Sequence, residues 1–130
     1  VVLNPTHVIA RGAYPPGPYM PAKSLLKAGI PIAIGSDGPM NPGLNIQLIT
    51  TMPGVPGEAI SREEAVDAYT RGSAFAEGME NEKGTIAAGK LADLAVLSQD
   101  IFHVPAERLP ATASVLTIVD GRIVYDRLQR

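Results

Sequence analysis

The stretch that decides the fold is Ile30-Pro31-Ile32-Ala33-Ile34-Gly35-Ser36-Asp37-Gly38-Pro39. An apolar run of this length, bounded by Gly and Pro, is typical of a buried strand covered on both faces, as in a parallel sheet. Asp37 would then follow the carboxyl end of that strand. Catalytic groups collect at this edge in barrel and open-sheet α/β folds. Asp37 is therefore the first candidate functional residue.

The segments before this strand predict an αβ unit. Val1–Leu3 resembles a strand end, which Asn4-Pro5 interrupts, and a loop rich in Gly, Pro and Tyr follows from Arg11 to Pro21. Ala22–Ala28 has helical character, and Gly29 is placed to end that helix. A helix followed directly by a buried strand indicates a parallel sheet.

The middle of the chain predicts one clear helix. Met40–Gly57 is rich in Pro and is predicted to be irregular, apart from one short helical turn around Leu44–Thr50. Ser61 and Glu64 form a capping box, so a helix should run from there to Glu77. Gly78 would end the helix. Its predicted inward face consists mostly of small residues: Ala65, Ala68, Tyr69, Gly72 and Ala76.

The last third of the chain predicts short strands. Leu94–Leu97 is one, and Val115–Val119 and Arg122–Tyr125 flank Asp120-Gly121. Asp-Gly between two β-branched runs is a strong hairpin signal, because a type I′ turn needs a positive φ at both central residues. We therefore predict a helix-bearing α/β part over residues 1–80 and a small β part over residues 81–130.

Composition excludes several classes of protein. Eleven basic and thirteen acidic residues give a net charge of −2 without a charge block, so no nucleic-acid partner is expected. No apolar run approaches the ~20 residues of a membrane span. The chain has no cysteine, which fits a reducing compartment, and we expect a cytoplasmic location. It begins with Val1 inside an apolar segment, so we expect a piece of a longer protein.

Two residues near the predicted strand ends carry candidate chemistry. Asp37 could ligate a metal or act as general base to a bound water, or it could form an Asx-type turn through local N–H groups. His7 could face substrate or support another functional group, or it could be an ordinary hydrogen-bonded loop residue. His103 is expected to be structural or exposed. Gly84–Leu91 fits a phosphate-loop pattern, but Leu91 replaces the Ser/Thr that would hold magnesium, so no such loop is expected.

Five segments, in order, resemble the C-terminal part of the metal-dependent amidohydrolase superfamily, in the branch of the formamide-deformylase type. They span nearly the whole chain: Asn4–His7, Leu25–Pro39, Ser61–Thr70, Lys83–Leu97 and Thr117–Tyr125. The resemblance implies the last βα units of a (β/α)₈ barrel, followed by part of a small β-sandwich. It also implies a metal, usually zinc, at the strand carboxyl ends.

The same resemblance implies roles for individual residues. Asp37 would contact the metal and handle the proton of the attacking water, His7 would face a small-molecule substrate, and Gly89–Asp93 would be structural. The His-x-His pair, the bridging Lys or other acidic ligand, and the further His ligands of the family have no counterpart and would precede Val1. We therefore expect the full-length protein to hydrolyse an amide or other C–N bond, with this chain alone inactive, without bound metal and prone to self-association. The alternative is a non-catalytic assembly or binding module.

Overall fold

The computed structural model describes residues 1–7 and 20–129. The predicted loop from Arg11 to Pro21 lies outside the described residues, except for Met20 and Pro21. The described residues contain three helical runs, five strands and two 3₁₀ helices, the latter at Pro56–Glu58 and Ala106–Ala111. The predicted mixture of helices and strands is confirmed. Among the described residues, no helix combines the length and apolar character that a membrane span requires.

The first two strands are short parallel neighbours, in agreement with the predicted parallel sheet. β1 is Val2–Leu3 and β2 is Ala33–Ile34, in the register Val2↔Ala33 and Leu3↔Ile34. Backbone hydrogen bonds flank the pair, from Ala33 N to Val1 O and from Gly35 N to Leu3 O, both 2.8 Å long. β2 is shorter than the predicted strand, because it is paired only as far as β1 extends and Pro31 has no N–H to contribute.

The first helix, α1, is Ala22–Lys27, and it ends where the sequence predicts. Gly29 has φ +71°, a conformation that glycine adopts without a steric penalty. Its N–H donates to Leu26 O at 3.0 Å, and the N–H of Ile30 donates to Leu25 O at 3.0 Å. These two bonds form a Schellman motif. They turn the chain directly from α1 toward β2.

The Pro-rich middle segment is more regular than predicted. It contains a ten-residue helix, α2, over Pro42–Thr51, where the sequence indicated only one short turn. The prolines misled the prediction, because Pro is favoured in the first helical turn. Asn41 caps the helix by accepting the N–H of Leu44 at 2.9 Å. The helix ends at Met52, which has φ +39°.

The predicted capped helix, α3, is a continuous helical run with a wide turn in it. It comprises Arg62–Asp67, a π-helical segment Ala68–Gly72, and Ser73–Ala76. Ser61 accepts the N–H of Glu64 at 3.1 Å and donates its own N–H to the Glu64 carboxylate at 2.7 Å, so the capping box is confirmed. Gly78, with φ +73°, follows the helix as predicted.

The π segment changes which face of α3 is buried. Ala65 and Ala68 are buried as predicted, and Tyr69 and Gly72 are partly buried. The prediction for Ala76 was wrong: it is exposed, and Ala74 is buried in its place. A π turn holds an extra residue, so it rotates the following residues away from the 3.6-residue pattern on which the prediction rested.

The last three strands form an antiparallel sheet in the order β3-β4-β5. β3 is Leu94–Leu97, β4 is Ser114–Val119 and β5 is Arg122–Asp126. The hairpin turn between β4 and β5 is confirmed, because Asp120 and Gly121 have φ +49° and +73°. Within the residues that the structure describes, no hydrogen-bonded ladder joins this sheet to the β1-β2 pair.

The core lies between the parallel strands and the helices. Its side chains come from β1, β2 and all three helical runs, from residues beside these elements, and from two residues of the later part of the chain, Ile101 and Leu109. Gly72 of the π segment packs directly on the backbone of Ile32, where a Cβ atom would lie 2.1 Å from the carbonyl oxygen. This packing fixes the start of β2, and with it the turn that carries Asp37.

Candidate active site at the ends of two parallel strands

The two strands deliver their following segments to one edge. Because β1 and β2 are parallel and in register, the chain leaves both at the same end of the pair. The segment 4–7 follows β1, and the segment 35–38 follows β2. Parallel pairing therefore brings together two residues that the sequence analysis singled out separately, His7 and Asp37.

His7 and Asp37 are in direct contact. The Nε2 atom of His7 lies 3.1 Å from Oδ2 of Asp37 and 3.2 Å from the main-chain oxygen of the same residue. The side chain of His7 is 30% exposed and that of Asp37 is 75% exposed. The carboxylate is therefore open to solvent on most of its surface, and the imidazole holds it from one side.

The backbone of the Asp37 turn is unusual. Asp37 has φ +37°, in the left-handed region that Asp adopts more readily than most residues. The preceding residue, Ser36, donates its hydroxyl to Pro39 O at 3.3 Å. Among the described residues, no backbone N–H donates to the Asp37 carboxylate, so the geometry lends no support to the Asx-type turn. The positive φ had no sequence signal, because Asp is common in turns of several types.

The two loop segments are packed tightly. A Cβ atom on Gly35 would lie 2.5 Å from the side-chain oxygen of Asn4, and one on Gly38 would lie 3.2 Å from the hydroxyl of Thr6. The Thr6 hydroxyl also donates to the main-chain oxygen of Ser36. Sequence reasoning had not given Thr6 a role. Thr6 directly precedes His7, and its hydroxyl stabilises the same turn by this hydrogen bond.

The described residues do not by themselves make a metal centre. A catalytic zinc site needs about three protein ligands. In the part of the chain that the structure describes, no three His, Cys, Asp or Glu side chains are grouped so that they could hold a metal ion. Asp37 and His7 supply two donor groups at the strand ends, and His7 directs its Nε2 atom at Asp37 rather than at a shared centre.

His103 belongs to a local turn. Its Nδ1 atom lies 2.6 Å from Oδ2 of Asp100, and its side chain is 85% exposed, which confirms that it is exposed. The Asp100 carboxylate also accepts the N–H of Phe102 at 2.9 Å. The hydrogen bond from His103, followed by that from Phe102, lowers the pKa of Asp100. This pair stabilises the turn before the second 3₁₀ helix.

The glycine- and lysine-containing segment 84–93 has structural contacts. Lys90 Nζ donates to the main-chain oxygen of Glu80 at 2.6 Å, so its charge stabilises a loop of this chain. Asp93 Oδ1 accepts the N–H of Asp120 at 2.9 Å and anchors the β4-β5 turn. These contacts fit the structural role that the resemblance implies for Gly89–Asp93.

Comparison with known proteins gives a consistent result. The sequence model described as "Amidohydrolase family" matches residues 2–125. The N-substituted formamide deformylase of Arthrobacter pascens is 34% identical over 116 residues, which are 82% of this chain and 21% of that protein. The imidazolonepropionase of Thermoplasma acidophilum is 34% identical over 111 residues, which are 84% of this chain and 27% of that protein.

A solved structure shows the same relationship. A mutant of the atrazine chlorohydrolase of Arthrobacter aurescens TC1, complexed with zinc and atraton, superposes with a TM-score of 0.60 at 25% identity. The match covers 82% of this chain and 27% of that one. The chain thus spans about a fifth to a quarter of the length of these proteins.

Proposed function

The chain belongs to the amidohydrolase family, and on that premise we propose that it is the C-terminal part of a metal-dependent hydrolase that cleaves an amide or other C–N bond. The observation that carries the proposal is the solvent-open carboxylate of Asp37, held by His7 at the ends of two parallel strands. Two relatives support this class of reaction, since their names are N-substituted formamide deformylase and imidazolonepropionase.

We assign the proton transfers to Asp37. Its carboxylate would accept a proton from the attacking water and then give that proton to the leaving nitrogen, as a general base and acid in turn. Its largely exposed side chain leaves room for a water and a substrate beside it. The remaining surface of the His7 ring would face the substrate.

We propose that the whole protein binds a divalent metal ion, with zinc as the first candidate. The atrazine chlorohydrolase is complexed with zinc, and such an ion supplies a Lewis acid and lowers the pKa of a bound water. Because the described residues do not make a site alone, its remaining ligands would come from elsewhere in a longer polypeptide. Asp37 would be the ligand that this chain contributes.

The finer fold assignment is also a proposal. Residues 1–80 would be the last βα units of a barrel, with Asp37 after its final strand, and residues 81–130 would be part of a β-sandwich. The parallel β1-β2 pair and the separate β3-β4-β5 sheet support this division. A cytoplasmic location remains a prediction that rests on the absence of cysteine.

A non-catalytic assembly module is the second candidate, and one observation favours it. Several apolar side chains of the antiparallel sheet are exposed, including Val96, Val119, Ile123 and Val124. Exposed apolar patches and open sheet edges promote association. We propose that the chain alone forms a dimer or larger oligomer, which is also expected if it is an isolated part of a hydrolase, because its sheet edges would then lack their neighbours. Light scattering tests this, and a monomer would contradict it.

Metal content and hydrolysis distinguish the two candidates. The longest polypeptide that contains this chain would be purified, assayed for bound zinc, and tested on N-substituted formamides and imidazolonepropionate before and after treatment with a chelator. We expect stoichiometric metal, and hydrolysis that is lost with the metal and restored by zinc. Hydrolysis that survives complete metal removal would overturn the metal-dependent mechanism. Absence of both metal and hydrolysis would favour the assembly module.

A further inference from the structure

One imidazole nitrogen of His7 lies within hydrogen-bonding distance of two oxygen atoms of Asp37. Nε2 is 3.1 Å from Oδ2 and 3.2 Å from the main-chain oxygen. A carbonyl oxygen can only accept a hydrogen bond, so the second contact requires a hydrogen on Nε2. The geometry therefore specifies which nitrogen of the ring carries the proton. It also links the side chain of Asp37 to its own backbone through a single donor.

Two consecutive side chains hold two consecutive carbonyl groups. The hydroxyl of Thr6 donates to the main-chain oxygen of Ser36, and the imidazole of His7 donates to that of Asp37. The second of these two residues, Asp37, is a non-glycine residue with φ +37°. Such a conformation persists only where the surroundings determine it. The segment after β1 provides that constraint for the turn after β2.

We propose that His7 is a positioning residue that fixes the orientation of the Asp37 carboxylate. This inference rests on the proposed role of Asp37 in proton transfer. Among the contacts that the described residues provide, His7 is the donor to the Asp37 carboxylate, and without it the carboxylate would sample more orientations, of which only some place an oxygen toward the water. Orientation of a reacting group accounts for large factors in rate, and a displacement of about 1 Å can cost about 100-fold.

Nuclear magnetic resonance of the labelled chain tests the proposal without any substrate. We expect the His7 ring to carry its hydrogen on Nε2. We also expect the side-chain carboxyl carbon of Asp37 to shift in His7→Ala and to return toward the wild-type position in His7→Gln, whose amide offers an N–H at similar reach. His103→Ala, which removes an exposed imidazole elsewhere, should leave the Asp37 signal unchanged.

Two results would overturn the proposal. One is a neutral ring that carries its hydrogen on Nδ1, and the other is an Asp37 signal that does not respond to His7→Ala. If His7→Ala fails to fold, the wild-type tautomer and the His7→Gln spectrum decide the question. Because these spectra need no reaction, a failure to hydrolyse amides would count against the proposed function, while the spectra would still decide whether His7 orients the Asp37 carboxylate.

Kinetics separate positioning from substrate binding. With an N-substituted formamide as the probe, His7→Ala in the polypeptide that hydrolyses it should lower kcat about 10- to 100-fold with a smaller change in KM, and His7→Gln should recover most of the loss in kcat. A rise in KM at unchanged kcat would overturn the positioning role and assign His7 to substrate binding alone.

Discussion

The Nε2 atom of His7 lies 3.1 Å from Oδ2 of Asp37, although thirty residues separate the two along the chain. The contact exists because β1 and β2 are parallel and in register, so that both strands end at one edge. The site therefore depends on the packing that holds β2 in place.

Gly72→Ala should destabilise the chain and disturb the start of β2. The added Cβ atom would lie 2.1 Å from the main-chain oxygen of Ile32, so the helix or the strand must move. We expect a loss of about 1–3 kcal/mol in the free energy of unfolding, measured by urea denaturation. Gly57→Ala is the matched control, because nothing lies within 4 Å of its Cβ position. Equal stability of the two variants would contradict the packing described here.

The N-cap of α3 should contribute about 1 kcal/mol to the free energy of unfolding. Ser61→Ala removes the oxygen that accepts the N–H of Glu64, and loss of an N-cap typically costs about 0.5–2 kcal/mol. Ser61→Thr keeps a hydroxyl at the same place and should retain most of the stability. Chemical denaturation of both variants measures the difference. If Ala and Thr have the same effect, the hydroxyl is not the stabilising group.

Glu58 should make stability depend on acid pH. The side chain and the backbone N–H of Ser24 donate to its carboxylate at 2.6 and 2.9 Å, and these bonds lower the pKa of Glu58. A pKa that is lower in the folded chain stabilises the fold above the ordinary pKa of glutamate. That stabilisation is lost as the pH falls from the ordinary value through the lower one.

Thermal unfolding against pH checks this expectation. The wild type should have a higher Tm than Glu58→Gln at neutral pH, and the difference should shrink as the pH falls through the acid range. The same substitution at Glu107, another exposed glutamate, serves as the control and should leave the pH dependence of the wild type unchanged. A difference that is constant with pH would show that the carboxylate charge at Glu58 has no such effect.

Local signals in the sequence predicted the elements with specific chemistry. The capping box at Ser61, the helix end at Gly29 and the Asp120-Gly121 hairpin each depend on the conformational needs of a few adjacent residues, and the structure confirms all three. α2 was predicted only as a short turn around Leu44–Thr50, because the prolines of this stretch indicated irregular structure, whereas Pro42 occupies the first helical turn. The π segment of α3 could not be predicted from adjacent residues, because it depends on the packing of Gly72 against a strand that is distant in sequence.

The candidate site was predictable only in part. Asp37 and His7 were each identified from their positions after apolar segments, and the predicted parallel sheet brings them to one edge only if the two strands are neighbours. Three features of the site depend on how two loops pack together. They are the contact of His7 Nε2 with Asp37, the positive φ of Asp37, and the hydrogen bond from the Thr6 hydroxyl to Ser36. Such packing is set by tertiary structure and could not be obtained from residue patterns alone.

The most direct test of the central claim is the kcat of Asp37→Asn for hydrolysis of an N-substituted formamide, in the metal-loaded polypeptide that contains this chain. Asparagine keeps the size of the side chain but cannot take up the proton, so we predict that kcat falls about 100- to 10,000-fold. Asp100→Asn, which changes the exposed carboxylate paired with His103, should leave kcat unchanged. An unchanged kcat in Asp37→Asn would contradict the assignment of Asp37 as the proton-transferring residue.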